Sequence, residues 1–338
     1  MFQVALSIIV GLLTAITYRP AFSENKAYVE WFGSDLVLVK EHKQTEHPWI
    51  QRAIGNGFRE QFALSHLPFR AWARANSNSD YLAHSQSNAI NHRLIDSNSD
   101  PESTNRRGHA QSDSDTKRLI VMIESDGASW RSAGYQAPSD PTPKEPVSLQ
   151  MALVTPNIDH VLYLARPCQF IGSTNTFFDA CKDKRWWTSW RFAPQVVDAY
   201  KNVILEYLSK QNNHRLVLVG FSGGGSLAAQ IAVQLKQTNV FANICLITIA
   251  SPLDLNAWAK HHRLSLFNDL PDVELLKQTF LNLPAGFAFS DVDRKVPIQS
   301  AGELLNEPAL TRKVHRYSNL YHKADWVEFW PNLLMKVC

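Results

Sequence analysis

The amino-acid sequence predicts an α/β fold, a mostly parallel central sheet with helices on both faces. Three observations predict it. Apolar runs such as "RLIVMI", "HVLYL", "RLVLVG" and "NICLITIA" lack the alternation of a sheet with one wet face. Segments with apolar residues at helical spacing, "APQVVDAYKNVILEYLSKQ" above all, separate them. The strands end in polar stretches, "ESDG", "GFSGGG", "ASPLD" and "SDVDRKVP". In a parallel sheet these ends share one edge, and ligands bind beyond it.

Taken in order, the chain of 338 residues opens on the uncharged run "FQVALSIIVGLLTAITY". A membrane span needs about 20 apolar residues, so this run is short for one. With small residues at Ala21 to Ser23, residues 1–23 fit a secretory signal peptide, the alternative being an uncleaved N-terminal anchor. The expected location is exported, periplasmic or secreted, with membrane contact only through this segment. Residues 24–56 form an extension without a strong period, and the main domain spans 57–338. In it, "NGFREQFALS" and "LPFRAWARA" read as two strands joined by a turn at Ser65 and His66. Residues 76–116, rich in Ser, Asn, Asp and His, lack the large apolar side chains a core needs and read as a flexible insertion. The apolar strands and "GFAFS" follow, and Pro194 is placed as the first residue of a helix.

Four cysteines suit an oxidising compartment. Cys168 and Cys181 are close in sequence and are expected to close a small surface loop, the alternative being two free thiols. Cys245, inside "ANICLITIAS", reads as a buried small hydrophobe, and Cys338 has no assignment. None has zinc-ligand spacing, and no Walker loop or HExxH implies a cofactor. The net charge of +3 is spread along the chain and gives no nucleic-acid footprint.

The chemistry-bearing motif is Gly220-Phe221-Ser222-Gly223-Gly224, a G-x-S-x-G between a strand and a helix. Such a turn is so tight that neighbours with a Cβ would clash, and it lifts the serine hydroxyl clear of the sheet. It also sets the serine at a helix N-terminus, where the N–H of Gly223 is free to stabilise a negative oxygen. A dinucleotide loop fits poorly, because the next strand ends at "TIAS" without a carboxylate for a ribose. A serine needs a base held by a carboxylate, in the chain order Ser, acid, His for this kind of turn. Downstream, Asp293 follows an apolar strand and precedes Val296-Pro297, and His322 lies in "YSNLYHKADW". Asp291 and Asp254 are alternative acids, and His315 is the alternative base.

On "IESDGASW", "ARPCQF", "GFSGGG", "D-x-x-V-P" and "YH" in this order, the chain resembles bacterial α/β-hydrolases of the esterase/lipase-like group, over roughly Phe58 to Pro331. The resemblance implies an α/β-hydrolase fold with Ser222 as nucleophile, Asp293 as acid and His322 as base. It further implies an oxyanion hole from Gly223 and from Gly127 or Ala128 in the loop after the third strand. The family's His-Gly pair in that loop is replaced by Asp126-Gly127, and the acid loop lacks the usual glycine. The activity implied is cleavage of a carboxylic ester or thioester, from a small-molecule or lipid-like substrate, through an acyl-enzyme and without a cofactor. An acyltransferase and a non-catalytic ligand-binding member of the fold are the alternatives. Trp186, Trp187 and Trp190 in "KDKRWWTSWRF" are candidates for an acyl pocket or for plain packing.

Overall fold

The computed structural model describes residues 27–32, 35–40, 47–61, 67–75, 118–130, 136–172, 177–210, 215–239, 243–323 and 325–338. The expected signal peptide, the Ser65–His66 turn and the 76–116 insertion lie outside the described residues. The chain divides into two compact units, residues 1–45 and 46–338. The smaller unit contains one antiparallel pair, β1 (Ala27–Phe32) and β2 (Asp35–Lys40).

The larger unit holds an eight-stranded sheet. Its strands are β3 (Arg59–Glu60), β4 (Ala71–Arg74), β5 (Arg118–Ile123), β6 (His160–Leu164), β7 (Arg215–Phe221), β8 (Ile244–Ile249), β9 (Ala285–Ser290) and β10 (Val314–Tyr317). Their order across the sheet is β10-β9-β8-β7-β5-β6-β4-β3. The six strands from β10 to β6 are mutually parallel, while β4 and β3 continue the edge as antiparallel pairs. This is the strand order and polarity of the α/β-hydrolase fold.

The helices are α1 (Pro48–Gly55), α2 (Val147–Val154), α3 (Pro194–Ser209), α4 (Gly223–Thr238), α5 (Leu255–His261), α6 (Val273–Leu281), α7 (Pro308–Thr311) and α8 (Trp326–Val337). They explain the continuous apolar strands. In β7, Leu216 and Leu218 point into one core, with Tyr200 of α3, Ile231 of α4 and Phe280 of α6. Val217, Val219 and Phe221 point into the other, with Ile50 of α1, Met151 of α2 and Trp330 of α8. Both faces of the strand are dry, so neither set of alternate positions tolerates a polar residue. Helix α1 falls in the stretch where the sequence shows no strong period. Its three-residue spacing of Ile50 and Ala53 is enough to bury one face in the larger unit.

Two disulfides join Cys168 to Cys181 and Cys245 to Cys338. The second corrects the reading of Cys245 as a mere buried hydrophobe. Cys245 on β8 is buried, and α8 crosses that face of the sheet and brings the last residue to it. Among the described residues no helix is long and apolar enough to cross a membrane.

Candidate active site

Strand β7 ends at Phe221 and α4 begins at Gly223, so Ser222 alone makes the turn between them. Its backbone lies at φ +53°, ψ −128°. A non-glycine residue held there costs about 1–3 kcal/mol and persists only when its surroundings fix it. Here the Ser222 N–H donates to the Ile249 carbonyl at 2.9 Å, and the Ser222 carbonyl accepts from the Gly225 N–H at 3.0 Å. The serine is thereby tied to the neighbouring strand and to the first turn of α4.

The Ser222 Oγ lies 3.0 Å from Nε2 of His322, in the loop after β10. The other ring nitrogen, Nδ1, lies 2.7 Å from Oδ2 of Asp293, in the loop after β9. Asp293 spends its second oxygen on its own loop, accepting the N–H groups of Lys295 at 2.8 Å and Val296 at 3.1 Å. Burial opposes ionisation of this carboxyl. The hydrogen bond from His322, the imidazolium charge and the two backbone donors outweigh burial and hold its pKa below the ordinary aspartate value.

The alternative residues are occupied elsewhere. Asp291 is exposed and pairs with Arg316 at 2.6 Å. Asp254 caps α5 by accepting the N–H groups of Asn256 and Ala257, both at 2.9 Å. His315 lies within β10, where burial and then the charge of Lys336 lower its pKa.

The loop after β5 differs from the expectation. The Ala128 N–H already donates to the Pro141 carbonyl at 2.9 Å, so it is not a free oxyanion donor. The Gly127 N–H faces Ser125 Oγ at 3.4 Å. Gly127, at φ +61°, lets the loop fold against Pro141, where a Cβ would collide with the carbonyl. Asp126 is the residue that reaches the elbow: a Cβ on Gly223 would collide with its carboxylate. That carboxylate is paired with Arg191 at 2.9 Å and Arg166 at 3.3 Å.

Residues 165–269, which include the elbow and both arginines, match the family model of class 3 lipases. Over this segment, less than half of its length, the chain is similar to class 3 lipases. Solved structures similar to it include an α/β serine hydrolase without a lid from Xanthomonas campestris, at 15% identity and TM-score 0.40, covering 65% of this chain and 81% of that one. An esterase from Pyrococcus furiosus is similar at 11% identity and TM-score 0.46, covering 85% of this chain and 93% of that one. A lipase/esterase from Lactobacillus plantarum is similar at 15% identity and TM-score 0.41, covering 82% of this chain and 96% of that one. No curated protein matches the chain.

The protein carries an aromatic groove of about 730 Å³, with Trp130, Trp190, Phe192, Trp258, Leu266 and Phe267 in its walls. Arg191 also lines it, and through Asp126 this links the groove to Gly223. Leu266 is 52% exposed and Trp190 37%, so the apolar wall stands open to solvent. Trp186 lines the same groove, whereas Trp187 is buried. A second cleft runs along Asp293, Arg294, Lys295, His322 and Lys323. The indole N–H of Trp258 donates to the Lys295 carbonyl at 2.8 Å and fastens α5 to the acid loop.

Glu124 is not among the residues that the sequence singles out. It is fully buried at the end of β5 and accepts the Ser125 N–H at 2.7 Å, the Leu149 N–H at 3.3 Å and the Tyr163 hydroxyl at 3.2 Å. Burial, only partly offset by these donors, raises its pKa. The signal was a carboxylate directly after an apolar run, which the sequence alone reads as an ordinary polar strand end. Among the described residues no group of three His, Cys, Asp or Glu side chains is placed to hold a metal ion.

Proposed function

We propose that the protein cleaves a carboxylic ester or thioester through an acyl-enzyme on Ser222, with His322 as general base and Asp293 as its partner. The observation that carries this reading is the hydrogen-bonded line Ser222 Oγ, His322 Nε2, His322 Nδ1, Asp293 Oδ2, at 3.0 and 2.7 Å. An ionised carboxylate only accepts, so Nδ1 carries the ring proton and Nε2 offers its lone pair to the serine hydroxyl. Ser222 attacks the carbonyl carbon as Nε2 takes its proton. The negative oxygen forms beside the Gly223 N–H, at the positive end of α4. The imidazolium then protonates the leaving group, and water, deprotonated by the same nitrogen, releases the acid.

The open aromatic groove, linked to Gly223 through Arg191 and Asp126, suits an apolar acyl or alcohol group of the substrate. Two disulfides favour an exported location, since such bonds persist in oxidising compartments. The reading is tested by hydrolysis of p-nitrophenyl esters of graded chain length by the purified protein and by Ser222→Ala. The expected loss in the variant is about 10⁶-fold in kcat, the scale on which a serine nucleophile acts as one unit with its base. Equal turnover by the folded variant would overturn it.

A further inference from the structure

The oxyanion position needs a second donor, and the loop after β5 has most of its N–H groups committed. The Glu124 N–H donates to the Leu164 carbonyl at 3.0 Å, the Ser125 N–H to the Glu124 carboxylate and the Ala128 N–H to the Pro141 carbonyl. The Gly127 N–H faces Ser125 Oγ. Among the described residues the Asp126 N–H has no acceptor, and Asp126 is the loop residue packed against Gly223.

Its side chain is gripped by two guanidinium groups. Arg166 and Arg191 are 2% and 7% exposed, and both pair with the Asp126 carboxylate. Arg166 also donates from Nη1 to the Gly223 carbonyl at 3.0 Å and from Nη2 to the Arg191 carbonyl at 2.5 Å. Arg191 donates from Nη1 to the Thr188 carbonyl at 2.5 Å. A single guanidinium, that of Arg166, therefore spans both walls of the oxyanion position, Asp126 on one side and Gly223 on the other. Gln169 steadies the same loop by donating to the Ser125 carbonyl at 2.8 Å.

The charge balance points the same way. Two buried cations share one carboxylate, which leaves one positive charge in excess at the N-terminus of α4. The helix dipole already makes that end positive, so the excess opposes folding. It is offset when a negative charge appears there, and in acyl transfer that charge is the tetrahedral oxygen.

We propose that the Asp126 N–H is the second oxyanion donor, and that Arg166 and Arg191 are positioning residues that hold it opposite Gly223 and favour the anionic intermediate. This rests on Ser222 being the nucleophile. Fluorophosphonate labelling of the unaltered protein tests that reading separately: without an adduct at Ser222, the nucleophile assignment itself falls.

The proposal is tested with Arg191→Gln, which removes the excess charge, and Arg191→Lys, which keeps it. Steady-state hydrolysis of p-nitrophenyl butyrate is measured beside inhibition by phenylboronic acid, whose serine adduct is a tetrahedral anion. One oxyanion donor is worth about 10²–10³ in kcat, so misplacing it in Arg191→Gln is expected to lower kcat by about 10- to 100-fold. KM should stay within about twofold and the boronate Ki should rise in step with the loss of kcat, because only the anionic state is affected. Arg191→Lys should recover part of both. If Arg191→Gln does not fold, Arg166→Lys takes its place: it keeps the charge but loses the guanidinium that spans Gly223 and Asp126, and smaller losses of kcat and boronate affinity, still coupled, are expected. Unchanged kcat in a folded variant would overturn the proposal, as would a fall in kcat with unchanged boronate affinity. So would a loss confined to the KM of an anionic hemisuccinate ester, which would make the pair a substrate-anion site.

Discussion

Nδ1 of His322 and Oδ2 of Asp293 lie 2.7 Å apart, and the other oxygen of Asp293 is held by the N–H groups of Lys295 and Val296. The carboxylate cannot turn away without giving up two backbone hydrogen bonds, so the loop after β9 sets both the tautomer and the tilt of the imidazole. Asp293→Asn offers an amide that can donate to Nδ1 and put the ring proton on Nε2, facing Ser222. We expect kcat to fall by about 10⁴-fold with KM little changed, the scale found when such an acid is neutralised in other serine hydrolases. Ester hydrolysis checks this, with circular dichroism confirming the fold.

Glu124 gives stability a pH dependence of its own. Its pKa is higher in the folded protein than in the unfolded chain, because burial disfavours the ionised form. Its contribution is therefore complete below the unfolded glutamate pKa and lost as pH rises through the folded value. Asp293 has the opposite sign: its depressed pKa contributes stability above the unfolded aspartate value, which is lost as pH falls through the folded one. Urea unfolding between pH 4 and 8, about the range in which a raised carboxyl titrates, should show Glu124→Gln losing less stability with rising pH than the unaltered protein. Parallel slopes would show that Glu124 does not titrate there.

The two disulfides should differ in weight. Cys168–Cys181 spans 13 residues and Cys245–Cys338 spans 93. Chain-entropy arguments make the longer closure stronger by about 1.7 kcal/mol. Cys338→Ser should therefore lower the urea midpoint more than Cys181→Ser, and the larger loss should also follow from the release of α8, which buries Trp326, Trp330 and Leu334.

The groove predicts a chain-length preference. Trp190→Ala and Leu266→Ala each remove an exposed part of its apolar wall. For octanoate esters kcat/KM should fall by about tenfold, or about 1.4 kcal/mol, relative to acetate esters. Equal losses for both esters would place the acyl chain elsewhere.

Much of this was legible in the sequence, and the reasons are local. The strands β5 to β9 announce themselves because both faces are buried, and the bend at Ser222 because its glycines are adjacent in the chain. Asp293 and His322 were placed by their order after strands. What stayed hidden depends on contacts between distant segments. Nothing in "ANICLITIAS" says that the last residue of the chain will cross to Cys245. Nothing in "ESDGASW" says that Pro141 takes up the Ala128 N–H, which moves attention from Ala128 to Asp126. Nothing in "ARPCQF" or "KDKRWWTSWRF" says that Arg166 and Arg191 will be buried, with Phe192 against both guanidinium groups and Phe267 against that of Arg191. Helix α1 was missed because eight residues with two buried positions leave too short a period.

Activation of Ser222 by His322 underlies the whole proposed reaction. The most direct measurement is to treat the folded protein with a fluorophosphonate probe and map the adduct by mass spectrometry, with Ser222→Ala and His322→Ala alongside. A single adduct is expected on Ser222, absent from Ser222→Ala and slowed by orders of magnitude in His322→Ala. Labelling at another serine, or labelling of Ser222 at an undiminished rate without His322, would contradict it.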